Sequence, residues 1–384
     1  MGILFVGKGL NLCSYFFNIV GMKRYGFYFL LLLSLNVQAQ DIHFSQFYMS
    51  PTNLNPALTG VMNCKMRFVA NYRNQWAPVL GFANSFNTYN LAFDQKIPVA
   101  RYDYFGFGGT FWGDKAGSLD FSTLQFKLSA SYSKRMSGSR TSANYLVFGV
   151  EGGLNQRSVN FHNAIWGTQI TSNGIDVTQP SNEVAFDPSF LFADVAVGLL
   201  WFSVLDKYNN FYFGGALSHL NEPLQNNIQD VPKNGYLPAP LYSKLTIHGG
   251  GVFELSKKNA IIPGMVAFFQ GPSFELNGGA SIRFGSGNNR TNDQSFQLGL
   301  WARLANKALP IDPANPSVDP GTGIHMDALI LSTRFDYNKY GFGLSYDVNT
   351  SSLKKANAGN NSFELSFIYN ICGPERRGIY CPNF

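Results

Sequence analysis

Side chains able to do chemistry are present in this sequence, but their spacing does not assemble a reactive set. Ser345 stands in Gly343-Leu344-Ser345-Tyr346-Asp347, which lacks the closing glycine of a nucleophile elbow and lies inside an alternating segment. Gly113-Asp114-Lys115 lacks the glycine spacing of a phosphate loop, and Gly106-Phe107-Gly108-Gly109 interleaves glycine with an aromatic as a strand does. Asp312 and Asp319 flank a Pro/Gly loop, yet two carboxylates fall short of the roughly six oxygens that calcium takes. The five histidines are scattered, with no HExxH and no CxxC; His219 and His248 read as hydrogen-bonding residues of a wet face. No catalytic, cofactor-binding or metal residue is assigned, and the expectation is a non-enzymatic protein.

The cysteines and the N-terminus speak to compartment. Lys23 and Arg24 precede an apolar run from Tyr25 to Leu35, and Val37-Gln38-Ala39 forms a small-residue cleavage site, the pattern of a secretory signal peptide over 1–39 with Met22 as its start. Removing 39 of the 384 residues leaves 345. Loss of Lys8, Lys23 and Arg24 leaves 26 basic against 23 acidic residues, too even a balance to support nucleic-acid binding despite the sequence pI of 9.0. In an oxidising compartment Cys372 and Cys381 have the spacing to close a small disulfide loop, which would leave Cys64 unpaired; Cα geometry decides.

The elements that must carry these residues follow from composition and period. Charged residues make up 14% and aromatics 15% of the chain, with 39 glycines, while mean hydropathy stays at −0.07. Helical membrane spans of about 20 apolar residues each would raise that mean, and a disordered chain would lack the 45% hydrophobic content. Alternation resolves the combination. Leu124, Phe126, Leu128, Ala130 and Tyr132 interleave with Gln125, Lys127, Ser129, Ser131 and Ser133, giving one oily and one wet face. Similar segments run from Phe274 to Phe284, Phe342 to Val348 and Phe363 to Ile371.

Counting such segments predicts an all-β, transmembrane outer-membrane β-barrel of about 14 antiparallel strands over 67–371. The strands are expected to begin near residues 67, 84, 102, 119, 143, 189, 210, 242, 260, 273, 294, 325, 340 and 361. A secreted chain starts on the periplasmic side, so odd connections should face outward. The long connections, about 159–188, 220–241 and 305–324, all fall at odd positions while even ones read as tight turns, the loop asymmetry of outer-membrane barrels. Two segments fit less well. Phe190 to Leu205 is almost continuously apolar, interrupted by Asp194, and is kept as a strand because sixteen residues are short of a helical span. Residues 40–66 lack alternation and read as a periplasmic arm or a plug in the lumen; 372–384 form a periplasmic tail.

One segment after another then matches a known pattern. Gln40-Asp41, Phe44-Ser45-Gln46-Phe47-Tyr48, Leu54-Asn55-Pro56-Ala57 and Asn71-Tyr72-Arg73-Asn74-Gln75-Trp76 open the series. Asp114-Lys115-Ala116-Gly117, Ser131-Tyr132-Ser133-Lys134-Arg135, Ser218-His219-Leu220-Asn221, Leu237-Pro238, Trp301-Ala302-Arg303, Ser345-Tyr346-Asp347-Val348-Asn349 and Cys381-Pro382-Asn383-Phe384 follow in order. Across the whole mature chain the sequence resembles the PorP/SprF family of type IX secretion system membrane proteins, departing at Asn383, where a basic residue is expected. The resemblance implies an outer-membrane barrel serving export or surface attachment of secreted proteins with a C-terminal sorting domain, gliding adhesins among them. It also implies contact with periplasmic components of the secretion system, and no enzymatic activity or cofactor.

Lys127, Glu275, Arg283, Arg303, Arg334, Asp336 and Glu364 fall on the wet face. Charges facing lipid would cost about 2–4 kcal/mol each at the midplane, so these point to a cross-lumen network; a pore lining is the alternative. Tyr104, Trp112, Tyr132, Trp201, Tyr340 and Tyr369 read as interfacial girdles. The loops 159–188, with Trp166, and 220–241 are the expected contacts for a secreted cargo protein. The rival reading is a diffusion channel or small-solute transporter.

Overall fold

The computed structural model describes residue 41 and residues 43–373, apart from 140, 162–163, 172–173, 181–188, 207, 225–239, 287–293, 308–322 and 351–360. The signal segment 1–39, most of the tail, and much of the loops 220–241 and 305–324 lie outside the described residues. Sixteen strands are numbered in chain order: β1 (Met66–Gln75), β2 (Phe86–Pro98), β3 (Tyr104–Ala116), β4 (Phe121–Gly138), β5 (Ala143–Ser158), β6 (Ile170–Thr171), β7 (Gly174–Ile175) and β8 (Ser189–Val204). They continue with β9 (Asn210–Ser218), β10 (Lys244–Ser256), β11 (Asn259–Gln270), β12 (Ser273–Ser286), β13 (Gln294–Lys307), β14 (Gly323–Tyr337), β15 (Tyr340–Asn349) and β16 (Ser362–Ile371). All except β6 and β7 pair with sequence neighbours into one closed antiparallel barrel. The ring is shut by β1 against β16, in register from Met66↔Ile371 to Asn74↔Phe363. Closure matters because lipid offers no hydrogen-bond partner to a free strand edge.

Alternation sets the two faces as expected. Outward-facing Phe126, Leu128, Phe148, Leu300 and Phe342 are exposed, while the interleaved Gln125, Ser129, Glu151, Ser281 and Ser345 are buried. Long connections collect at one rim, the loop rim, and tight turns such as 257–258 and 338–339 at the other, the turn rim, where β1 begins and β16 ends.

The apolar run from Phe190 is explained by what lies on each side of it. In β8, Leu199 and Trp201 face outward, whereas Leu200, Phe202 and Val204 are buried inward with Tyr145 and Val147 of β5, against Leu54, Ala57, Leu58 and Val61 of the N-terminal segment. The strand is oily on both faces because it meets lipid on one and a packed interior on the other.

Residues 43–62 form that interior. They run through the lumen as three short helical turns, Phe47–Met49, Pro51–Leu54 and Pro56–Leu58, so the segment is a plug and not an arm hanging below the barrel. Asp41 lies at the loop rim, where its N–H donates to Gln270 Oε1 (3.0 Å). Met62 lies at the turn rim, where its carbonyl accepts from Lys96 Nζ (2.7 Å). The plug comes so close to the wall that a Cβ on Gly149 would sit 2.3 Å from Ala57 N, and one on Gly198 would sit 1.9 Å from Asn55 Oδ1. Only glycine permits that approach.

Two expectations are corrected. Cys372 bonds to Cys64, across a Cα separation of 4.2 Å, and does not close a small loop with Cys381, which lies outside the described residues. The reason is register: the closing strand pair places the residues flanking β1 and β16 side by side at the turn rim. Tyr104 and Trp112 also depart from the girdle reading. Trp112 donates from its indole N–H to Gln125 inside the lumen, and Tyr104 packs on Tyr145.

Because Leu128 faces lipid near the middle of β4, Leu128→Arg is expected to destabilise the membrane-inserted barrel by about 2–4 kcal/mol. Replacing the lumen-facing Ser129 by Ala is expected to cost less. Urea titration in lipid vesicles, read by heat-modifiable gel migration, checks the difference.

Candidate functional site

The plug is held by polar groups that the strands turn inward. Near its start, the amides of Ser45 and Gln46 donate to the two oxygens of Glu364 on β16 (2.7 and 3.0 Å). The Ser45 hydroxyl donates to Asp347 Oδ2 (2.6 Å), and Arg303 Nη2 donates to both Ser45 Oγ (2.6 Å) and Asp347 Oδ2 (2.7 Å). Arg73 joins the same carboxylate at 3.3 Å and donates to the His43 carbonyl, and Glu275 lies 3.6 Å from Arg303. These charges come from β1, β12, β13, β15 and β16, which stand along one arc of the ring, so the network ties the start of the plug to that side of the wall and does not span the lumen as the sequence suggested. Buried charges persist only when paired and hydrogen-bonded, and here plug backbone supplies part of that pairing.

The second half of the plug is read by main-chain and amide contacts. Asn55 Nδ2 donates to the carbonyls of Leu199 and Gly215 (3.1 Å each) and lies 2.9 Å from His248 Nε2, while Asn55 Oδ1 accepts from Ala57 N–H (2.8 Å). Thr59 pairs with Ser129 (2.9 Å), and its carbonyl accepts from Ser131 (2.6 Å). At the turn rim Asp94 accepts the Gly60 amide (2.8 Å) and a bidentate pair from Arg67 Nε (3.0 Å) and Nη2 (2.8 Å). The fork geometry of arginine suits that carboxylate, and it fixes where the plug ends and β1 begins.

At the loop rim a histidine latches the start of the plug. His219 Nδ1 is 2.9 Å from Asp194 Oδ1, and its Nε2 contacts Asp41. Lys127 bridges Asp194 (3.4 Å) and Glu151 (2.9 Å), and Lys244 stands 3.7 Å from Asp41. Burial opposes the charge on His219, but the carboxylates of Asp41 and Asp194 outweigh it and raise its pKa to about 9. Burial likewise opposes the Asp41 charge, and His219 and Lys244 overcome it, holding that carboxyl well below the usual range.

The predicted wet-face charges thus converge unequally. Lys127, Glu275, Arg303 and Glu364 join the plug network; Arg334 pairs with Asp336 (2.9 Å) nearer the turn rim; Arg283 makes no ion pair or hydrogen bond among the described residues. His219 and His248, read as isolated, both touch the plug. Asn55 and Ser45 were visible only as members of a polar, non-alternating stretch, because their partners lie 144 to 319 residues away in sequence. Among the described residues no cluster of His, Cys, Asp or Glu suits a metal ion.

The His219 latch carries a pH dependence. A histidine whose pKa is raised stabilises the fold fully below its unfolded value of 6.5 and loses that contribution as pH rises through about 9. Between pH 7 and pH 10 the wild-type barrel is expected to lose about 2 kcal/mol from this group. His219→Gln should flatten that portion of the stability profile, measured by urea titration at each pH.

The chain matches the family model described as type IX secretion system membrane protein PorP/SprF over residues 36–369. No curated protein matches it. Among solved structures it is similar to the CymD monoaromatic hydrocarbon channel, at TM-score 0.42 and 11% identity, covering 88% of this chain and 96% of that one. It is similar to the P. putida toluene transporter TodX, at TM-score 0.38 and 11% identity, covering 86% and 95%. CdiB from Escherichia coli gives TM-score 0.42 and 7% identity over 79% of this chain, which spans 63% of the length of that protein. With the match extending from the residues before the plug through nearly all of the last strand, this closed and plugged barrel belongs to the PorP/SprF family of type IX secretion system membrane proteins and resides in the outer membrane.

Proposed function

We propose that the protein is a non-enzymatic scaffold of the type IX secretion system that contributes to export or cell-surface anchoring of specific secreted proteins, such as gliding adhesins carrying a C-terminal sorting domain. Its loop rim faces the exterior and its turn rim the periplasm, where other components of the system meet it. The observation that carries the reading is the connection between β5 and β8. It has its own structure: a short helical turn over Gly167–Gln169 and the two-residue ladder of β6 with β7, tied by Asp176 N–H donating to the Gln169 carbonyl (2.8 Å). On it Ile165, Ile170, Ile175 and Val177 are all exposed, Val177 at 71%. Apolar side chains held outward on an ordered loop, away from the lipid-facing strands, are what a protein-binding surface requires. The filled lumen supports a scaffold over the rival reading of a diffusion channel.

Replacing residues 164–180 by a short Gly/Ser linker is expected to abolish surface display of at least one secreted protein while leaving the amount of inserted barrel unchanged. Surface proteomics of intact cells measures this. Undiminished display of every secreted protein would remove the assignment. Conductance of the purified barrel in planar bilayers should stay at baseline, whereas steady current would favour the channel.

A further inference from the structure

On the turn side of the plug the lumen opens into a chamber of about 620 Å³, within the roughly 300–1,000 Å³ of ligand-binding clefts. Its floor is aromatic. Tyr48 of the plug stacks on Trp301 of β13 with ring centroids 5.3 Å apart, and Phe47 meets the same indole edge-on at 5.6 Å. Its walls are basic. Arg283 on β12 lies directly across from Gln297 on β13, which lies directly across from Arg334 on β14, so the two guanidinium-bearing positions are two strands, or about 10 Å, apart. Lys257 and Lys258 add two exposed cations at the mouth, and Glu254 and Asp336 are the acidic residues of the lining.

The acids do not neutralise this wall. Asp336 accepts from Arg334 Nε (2.9 Å), Ser295 Oγ (3.1 Å) and Gln297 Nε2 (3.0 Å), so its acceptor positions are taken up by those neighbours. Arg283, Lys257 and Lys258 are left without an ion pair among the described residues, and Glu254 is one carboxylate against three cations. A guanidinium drawn into a concave wall with its donors unused is a recognition element in want of an acceptor.

We infer that this chamber is a docking pocket for an acidic peptide segment of a partner protein on the turn side of the membrane, an aromatic or aliphatic side chain of that segment resting on the Tyr48–Trp301 floor. A single small anion fits less well. It cannot reach both arginine positions about 10 Å apart, and it leaves the aromatic floor uncovered. A segment with several carboxylates meets Arg283 and the mouth lysines together, and the plug beneath makes the chamber a dead end that holds its occupant. Because Tyr48 belongs to the plug, the occupant rests on the plug itself.

The test uses the full-length mature barrel in detergent and a fluorescein-labelled hexapeptide with three glutamates and one tryptophan, read by fluorescence anisotropy. A matched peptide with glutamine for each glutamate is the first control. Arg283→Gln, which leaves the Arg334–Asp336 pair in place, is expected to weaken binding by about tenfold, the scale of one charge-assisted hydrogen-bonded contact. Lys257→Gln with Lys258→Gln is a second variant outside the strands' interior and should weaken binding while leaving heat-modifiable migration unchanged. Equal binding of the glutamine peptide, or full binding by both variants, overturns the proposal. Displacement of the peptide by an equal concentration of inorganic phosphate also overturns it, marking a simple anion site. The assay is independent of the loop between β5 and β8, so its failure and that of the cargo-binding reading are separable.

Discussion

A ring of fourteen strands encloses more space than its own side chains can fill, since about eight suffice to pack an interior. Everything distinctive here answers that constraint. The space is occupied by residues 43–62, and the wall is written for that occupant: carboxylates face plug amides, glycines stand where plug backbone approaches, and apolar residues of β5 and β8 meet Leu54, Leu58 and Val61. The contact between Glu364 and the amides of Ser45 and Gln46 is the hinge of the arrangement. It satisfies a buried charge and buried backbone donors together, and neither half is tolerable alone.

The two ends of the plug are fixed by different chemistry. At the loop rim the hold is ionic, with His219 between Asp41 and Asp194. At the turn rim Arg67 and Gly60 share Asp94, and the Cys64–Cys372 bond ties the adjoining chain to the last strand. One end is therefore held by a titratable ion pair and the other is backed by a covalent bond, while the middle is read by Asn55 and its carbonyl partners.

The barrel was legible because its code is local. Alternation of side-chain polarity marks each strand within about ten residues, and an even strand number with long loops of one parity follows from counting. Leu124 to Ser133 states its own geometry. Phe190 to Leu205 does not, since its inward face is oily only because Leu58 and Val61 pack there. The plug was legible as an exception to alternation but not as a path, because short turns capped by Asn55 and prolines carry no period. The disulfide partner was illegible for a related reason. Cys372 stands nine residues before Cys381 yet 308 after Cys64, and only ring closure makes the distant partner the near one. Trp112 likewise takes its direction from strand register, which aromatic character alone does not reveal.

The covalent tie has a bearing on how such a molecule is made. Cys64 and Cys372 flank the first and last strands to exist, and it is the meeting of those strands that brings the sulfurs within reach. The segment ahead of Cys64 threads the lumen from one rim to the other. The sulfurs meet only where β1 lies against β16, so the bond stitches the seam of the closed ring right beside the end of the plug. Oxidation of this thiol pair is thus a record of completed assembly, written into the chain at the place where manufacture ends.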